Sequence, residues 1–178
     1  MVPTICGKEG PTKWEDALSP TYLGVVCMTE QQMENAAKRL YVMLDKIIPQ
    51  MGEVVSNDSE SYAIEADVAL KPFDVHLKVE IHKENGMITI YSVLPYDVPE
   101  EIRESFASYI AGLNYDNLYL GCFDYSPARG KIVFRTTIVY RDSLISEITL
   151  KDVLEYVVNS VCKFNEDIFN HTRIGEKE

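Results

Sequence analysis

Residues 73–82, FDVHLKVEIH, alternate apolar and polar side chains without interruption, and Asn85-Gly86 follows them closely. Successive side chains of an extended chain point to opposite sides, so such alternation fits a strand with one buried face. Asn-Gly is the strongest short hairpin signal, because both residues tolerate the positive φ of a type I′ turn. The chain is therefore expected to contain an antiparallel hairpin. Phe73, Val75, Leu77, Val79 and Ile81 face its core, and Asp74, His76, Lys78, Glu80 and His82 face away.

Two flanking segments extend the sheet. SYAIEADVAL, residues 61–70, places Tyr62, Ile64, Ala66, Val68 and Leu70 on one face, and MITIYSVLP, residues 87–95, is a third strand. Pairing Leu70 with Phe73 sets Val68 against Val75, Ala66 against Leu77 and Ile64 against Val79. It also sets Asp67 against His76 and Glu65 against Lys78. Pro72 suits a two-residue loop poorly, so a longer loop is compatible with the same faces. A two-residue Asn-Gly loop would set Glu84 against Met87, Ile81 against Ile90 and Val79 against Ser92.

Helices bracket these strands. Thr29 and Gln32 form a capping box, and Met33, Ala36, Ala37, Leu40, Leu44, Ile47 and Ile48 recur at helical spacing until Pro49 ends the ladder. A second helix is expected from Pro99, with Glu100 and Glu101 in its first turn, a stripe of Ile102, Phe106, Tyr109 and Ile110, and Gly112 or Asn114 at its end. LYLGCFDY (118–125) and KIVFRTTIVYR (131–141) read as two strands joined by SPARG. A final helix is expected from Thr149, with Asp152 at its third position and a broad apolar face from Val153 to Ile168. The order is α-β-β-β-α-β-β-α, an α+β domain over residues 29–170. A Pro-containing irregular arm (1–28), with a short helical turn around Trp14, precedes it, and a frayed tail (171–178) follows.

Composition narrows function. A net charge of -11 and no Lys/Arg cluster disfavour nucleic acid and anionic membranes. No apolar run of membrane-spanning length occurs, and the start of the chain lacks the pattern of an export signal. Cys6, Cys27, Cys122 and Cys162 are scattered and read as reduced thiols in a cytoplasmic protein. No cofactor is expected. His76 and His82, six positions apart on one strand, lie roughly 20 Å apart and cannot share an ion. A metal at Asp74 and His76 would need further ligands from neighbouring strands, where Lys78 is unfavourable. Cross-strand pairs of Asp67 with His76 and Glu65 with Lys78 explain the same residues as the wet face of a sheet.

Catalytic signatures are absent: there is no G-x-S-x-G, no phosphate-cradling glycine pattern, and no histidine assignable to a cysteine. The chain is expected not to be an enzyme. Met87, Thr89, Tyr91 and Val93 lie opposite the core, so the third strand is apolar on both sides. Either the protein itself or a partner covers that side. Met87, Tyr91 and Val93 are one candidate protein-binding surface. The helix stripe Ile102, Phe106, Tyr109 and Ile110 is a candidate dimer contact, or an ordinary core stripe.

The stretch LNYDNLYLGCFDYSPARGKIVFRTTIVYRDSLISEITLKDVLEYVV (113–158) resembles the YbjN-like family of bacterial proteins. The resemblance is carried by Leu113-Asn114, Gly121 and Phe123, the turn Ser126 to Gly130, Ile132 to Arg135, and the helix from Thr149. VLPYDVPEEIRE (93–104) also looks like that family's passage into its middle helix. The resemblance implies a fold like the small type III secretion chaperones, a twisted antiparallel sheet with helices packed on one face. It implies protein partners, homodimerisation and a chaperone-like or regulatory role. The alternative is a small-molecule-binding or enzymatic domain, with a pocket between sheet and helices where Arg135 meets Tyr119 or Tyr140.

Overall fold

The computed structural model describes residues 28–141 and 144–173. The expected arm thus lies outside the described residues apart from Met28, and so do residues 174–178 of the tail. The first described helix, α1 (Glu30–Ile47), begins as its sequence dictates. The Thr29 hydroxyl accepts from the Gln32 N–H, and the Gln32 side chain accepts from the Thr29 N–H. One face buries Ala37, Leu40, Leu44 and Ile47, and a 3-10 turn, Ile48–Gln50, takes over where Pro49 removes the ladder donor.

Four strands follow rather than three: β1 (Glu53–Asp58), β2 (Ala63–Val68), β3 (Val75–His82) and β4 (Met87–Val93). β1 is the strand that the sequence does not announce. All six of its residues are exposed, so no buried face imposes alternation on it. A 3-10 turn (Glu100–Ile102) leads into α2 (Arg103–Asn117), then β5 (Cys122–Ser126), β6 (Lys131–Val139) and α3 (Glu147–Thr172). The six strands form one antiparallel sheet in the order β1-β2-β3-β4-β6-β5.

The β2–β3 register is the expected one, including Asp67 against His76 and Glu65 against Lys78. Its loop runs from residue 69 to 74, longer than two residues, as Pro72 suggested. The β3–β4 register differs by two residues. His82 pairs with Met87, Ile81 with Ile88 and Val79 with Ile90. The loop holds four residues, because a turn closed by the Asn85 N–H on the His82 carbonyl comes first. Gly86, at φ 62, then returns the chain to the ladder. A slip of two preserves the faces, so Val75, Leu77, Val79 and Ile81 are buried as expected while every β3–β4 partner moves; Phe73, expected on the core face, lies in the loop before β3, 39% exposed, against Tyr96 and Phe169.

Helix ends differ as well. α2 runs through Gly112 and Asn114 to Asn117. The Asn114 amide is turned sideways to bond β5 instead of ending the helix. α3 starts one turn earlier than expected, because the Ser146 hydroxyl caps it by accepting from the Thr149 N–H. It runs through Thr172, so His171 and Thr172 are helical rather than frayed. The core lies on one side of the sheet: Ile64, Leu77, Val79, Ile88, Ile90, Ile132 and Phe134 meet Leu40 and Leu44 of α1, Phe106 and Ile110 of α2, and Leu154, Val157 and Val161 of α3.

Candidate functional site

The opposite sheet face is built by the same pairings. Two rows cross all six strands. One runs Ser56, Glu65, Lys78, Tyr91, Arg135, Cys122; the next runs Glu53, Asp67, His76, Val93, Val133, Asp124. The charges sit on β1, β2 and β3 and return at Arg135 of β6 and Asp124 of β5. Lys78 Nζ lies 3.3 Å from Glu65 and 2.9 Å from Glu80. His76 Nδ1 lies 2.9 Å from Asp67, and its Nε2 lies 3.4 Å from Glu65. Arg135 Nε lies 2.6 Å from Asp124. The Lys78 ammonium is held above its usual pKa, first by Glu80 and then by Glu65. Apart from Lys78–Glu80, which lies within β3, these are cross-strand pairs of the solvated kind, each worth about 0.2–1 kcal/mol.

Between these rails lies an apolar strip. Met87, Tyr91 and Val93 of β4, all half-buried, stand beside Val139, Arg135 and Val133 of β6, and Val139 is 58% exposed. Thr89, which shares the strip, is buried, and its hydroxyl lies 3.1 Å from His82 Nε2. The sequence placed Met87, Tyr91 and Val93 on this face. It did not find Val133 and Val139, whose membership depends on which strand lies beside β4. The β6 alternation was available as a signal, but the adjacency of β4 and β6 was not.

Other residues singled out from sequence are placed elsewhere. Phe106 and Ile110 are buried in the core, and Tyr109 is tied to α3 by a 2.6 Å bond from its hydroxyl to Asp167 and by stacking on His171 at 3.7 Å. Ile102 is half-buried against the same core. Phe106 and Ile110, the two buried members of the stripe, therefore serve the molecule's own interior and are not available to a second copy. Arg135 and Tyr119 point to solvent, with Tyr119 99% exposed, whereas Tyr140 is 1% exposed inside the core. These three groups do not converge on a pocket, because residue 135 belongs to the face opposite the helices.

Two surface concavities are lined differently. One, of about 540 Å³, involves Glu30, Gln31, Met33, Glu34, Lys83 and Glu84; the other, of about 480 Å³, lies between α2 and α3 at Tyr109, Gly112, Leu113, Asp116 and Phe164. Among the described residues no group of three or more His, Cys, Asp or Glu is arranged to hold a metal ion. Burial, and then the Asp124 carboxylate, push the Cys122 thiol up, away from the thiolate that nucleophilic chemistry requires. No described helix is long and apolar enough to cross a membrane.

No protein-family model and no curated protein matches the chain, so the YbjN-like resemblance gains no support from either comparison. Among solved structures the chain is similar to one described as the crystal structure of the ExsC-ExsE complex. The two share 12% sequence identity at a TM-score of 0.49, over 73% of this chain and 93% of that chain.

Proposed function

We propose that this protein is a non-enzymatic protein-binding module, chaperone-like or regulatory, that engages a partner on the open sheet face. The carrying observation is the set of apolar side chains Met87, Tyr91, Val93, Val133 and Val139, bordered on one side by the charged residues of β2 and β3 and interrupted on β6 by Arg135, which pairs with Asp124. Apolar side chains standing together outside the core are what partner surfaces provide. Met and Tyr are adaptable contacts, and the charged residues beside them form a polar rim in which Glu65, Asp67 and Glu80 outnumber Lys78 and His76. Two strands about 4.8 Å apart make a strip roughly one helix wide, suited to the apolar side of an amphipathic segment.

The test is site-specific photocrosslinking in cells of origin. A crosslinker at residue 91 should capture a defined partner that a crosslinker at the exposed Glu155 of α3 does not. Tyr91→Glu should abolish binding of that purified partner without changing the circular dichroism spectrum or thermal midpoint. Undiminished partner binding by a folded Tyr91→Glu protein would remove this face from consideration.

A further inference from the structure

The two edges of the sheet are finished differently. At β5, the Asn114 side chain of α2 accepts from the Phe123 N–H at 2.8 Å and donates to the Phe123 carbonyl at 3.0 Å. The ladder gives this bond its meaning. Cys122 and Asp124 pair with Arg135 and Val133, and alternation turns the Phe123 backbone outward, where a seventh strand would dock. An amide side chain making both bonds reproduces a strand's contact and closes that edge at Phe123.

Among the described residues β1 has no such guard. The Ile81 N–H donates to the Tyr62 carbonyl across β2 and β3, so Ile64 and Ala66 face β3, while Ala63, Glu65 and Asp67 face β1. Their partners Asp58, Ser56 and Glu53 point inward, which turns the backbones of Val54 and Asn57 outward. Among the described residues nothing bonds those outward amides. The Asn57 side chain instead bonds Asp45 at 2.6 Å and accepts from the Tyr41 hydroxyl, which fastens the strand to α1 without covering its edge. All six β1 side chains are exposed, including Val55 at 58%. The strand ends in Glu53 and Asp58, neither with an ion-pair partner among the described residues, and the Asp58 carboxylate also accepts from the Glu60 N–H and from the Ser61 N–H and hydroxyl.

We propose that the sheet extends at one edge only: β1 accepts an extended partner segment with basic residues flanking an apolar centre, while Asn114 keeps β5 closed. A second copy of β1 is not the occupant. Antiparallel self-pairing would set Glu53 against Asp58, and like charges directly opposite are destabilising. The irregularity between Val54 and Ser56 makes unselective edge pairing harder, leaving charge to choose the partner. This surface is separate from the open face, and its failure would leave the Tyr91 reading untouched.

The test uses the full chain, isotope-labelled, with a synthetic peptide of alternating Val and Thr carrying Lys and Arg at its ends. Saturable amide shifts should centre on residues 53–58, and exchange of the outward Val54 and Asn57 amides should slow by about tenfold or more. Val54→Pro removes an outward donor and should weaken binding by about tenfold while other resonances stay in place. Glu53→Lys, which leaves the turn bonds of Asp58 in place, should weaken binding of the Lys- and Arg-flanked peptide. Asn114→Ala should add new peptide-dependent shifts at residues 122–126. No saturable shift in β1, shifts at β5 in the unaltered protein, or equal binding by Val54→Pro would each overturn the proposal.

Discussion

Tyr62 has φ 54, the one positive value among the described non-glycine residues. A left-handed backbone costs an L-residue roughly 1–2 kcal/mol, so its side chain must hold it there. It does so through a 2.6 Å bond from its hydroxyl to Glu34 and edge contact with the Tyr41 ring. The Glu34 carboxylate in turn is held down to about 2, first by the Tyr62 hydroxyl, then by Lys83 and Lys38. Because the folded value lies below the unfolded one, Glu34 contributes stability above about 4.5, and that contribution is lost as pH falls toward 2. A carbon-detected titration should find the Glu34 midpoint near 2, and Tyr62→Phe should move it upward. The loss of thermal stability on acidification should then begin at a higher pH in the variant. An unchanged Glu34 midpoint in Tyr62→Phe would refute this coupling. Asn165 has a different role. Fully buried on α3, its amide donates to the carbonyls of Lys71 and Phe73, and its oxygens accept from Tyr96. Asn165→Leu should cost about 1–3 kcal/mol in denaturant unfolding, since it removes the partner of the part-buried Lys71 and Phe73 carbonyls.

At the scale of elements, the β3–β4 loop separates what the sequence states from what it leaves open. In a type I′ turn Asn85 and Gly86 would both need positive φ, yet only Gly86 has it. A Cβ at Gly86 would also come within 2.8 Å of the Arg141 Cβ. Gly86→Ala should therefore destabilise the protein by roughly 1–2 kcal/mol from the backbone alone. Asn85→Ala should change it by less than about 0.5 kcal/mol, as exposed loop positions do. Comparable losses in both variants, measured by urea unfolding, would restore the two-residue loop. The faces of β2, β3 and β4 were legible because burial on one side writes a period of two into the residues. The register of β3 and β4 was not, because Ile81 opposite Ile88 and Ile81 opposite Ile90 bury the same side chains. β1 was invisible for the opposite reason: with no buried face it has no period. The α1 cap was legible because Thr29 and Gln32 satisfy each other locally. The start of α3 is not legible between Ser146 and Thr149, because either hydroxyl can cap and only the backbone decides. The Asn114 bonds to Phe123 join two elements across space, which no spacing rule encodes.

For the whole molecule, the strand order sets a gradient of stability. β3 and β4 lie at the centre, paired on both sides and buried against helices at Val79, Ile88 and Ile90, each 0% exposed. β1 lies at the margin, paired on one side and exposed at every side chain. Proteins open in cooperative units, and units with few buried contacts open first. Native-state hydrogen exchange should therefore give β3, β4 and the buried face of α3 the free energy of global unfolding. The inward amides of β1 at Ser56 and Asp58 should exchange through a smaller opening whose free energy depends little on urea, because little surface is exposed. β5 is also an edge, but Asn114 ties it to α2, so the Phe123 amide should be better protected than its position alone implies. The gradient bears on binding as well. A partner segment that pairs with β1 adds the second ladder the strand lacks, so its amides should gain the most protection when that site fills. A partner on Tyr91 lies over the most rigid strands, where protection is already at its ceiling and only side-chain signals should move. If β1 in the free protein exchanged as slowly as β4, the strand would be held by contacts other than its one ladder. The edge would then not be the open surface its backbone makes it.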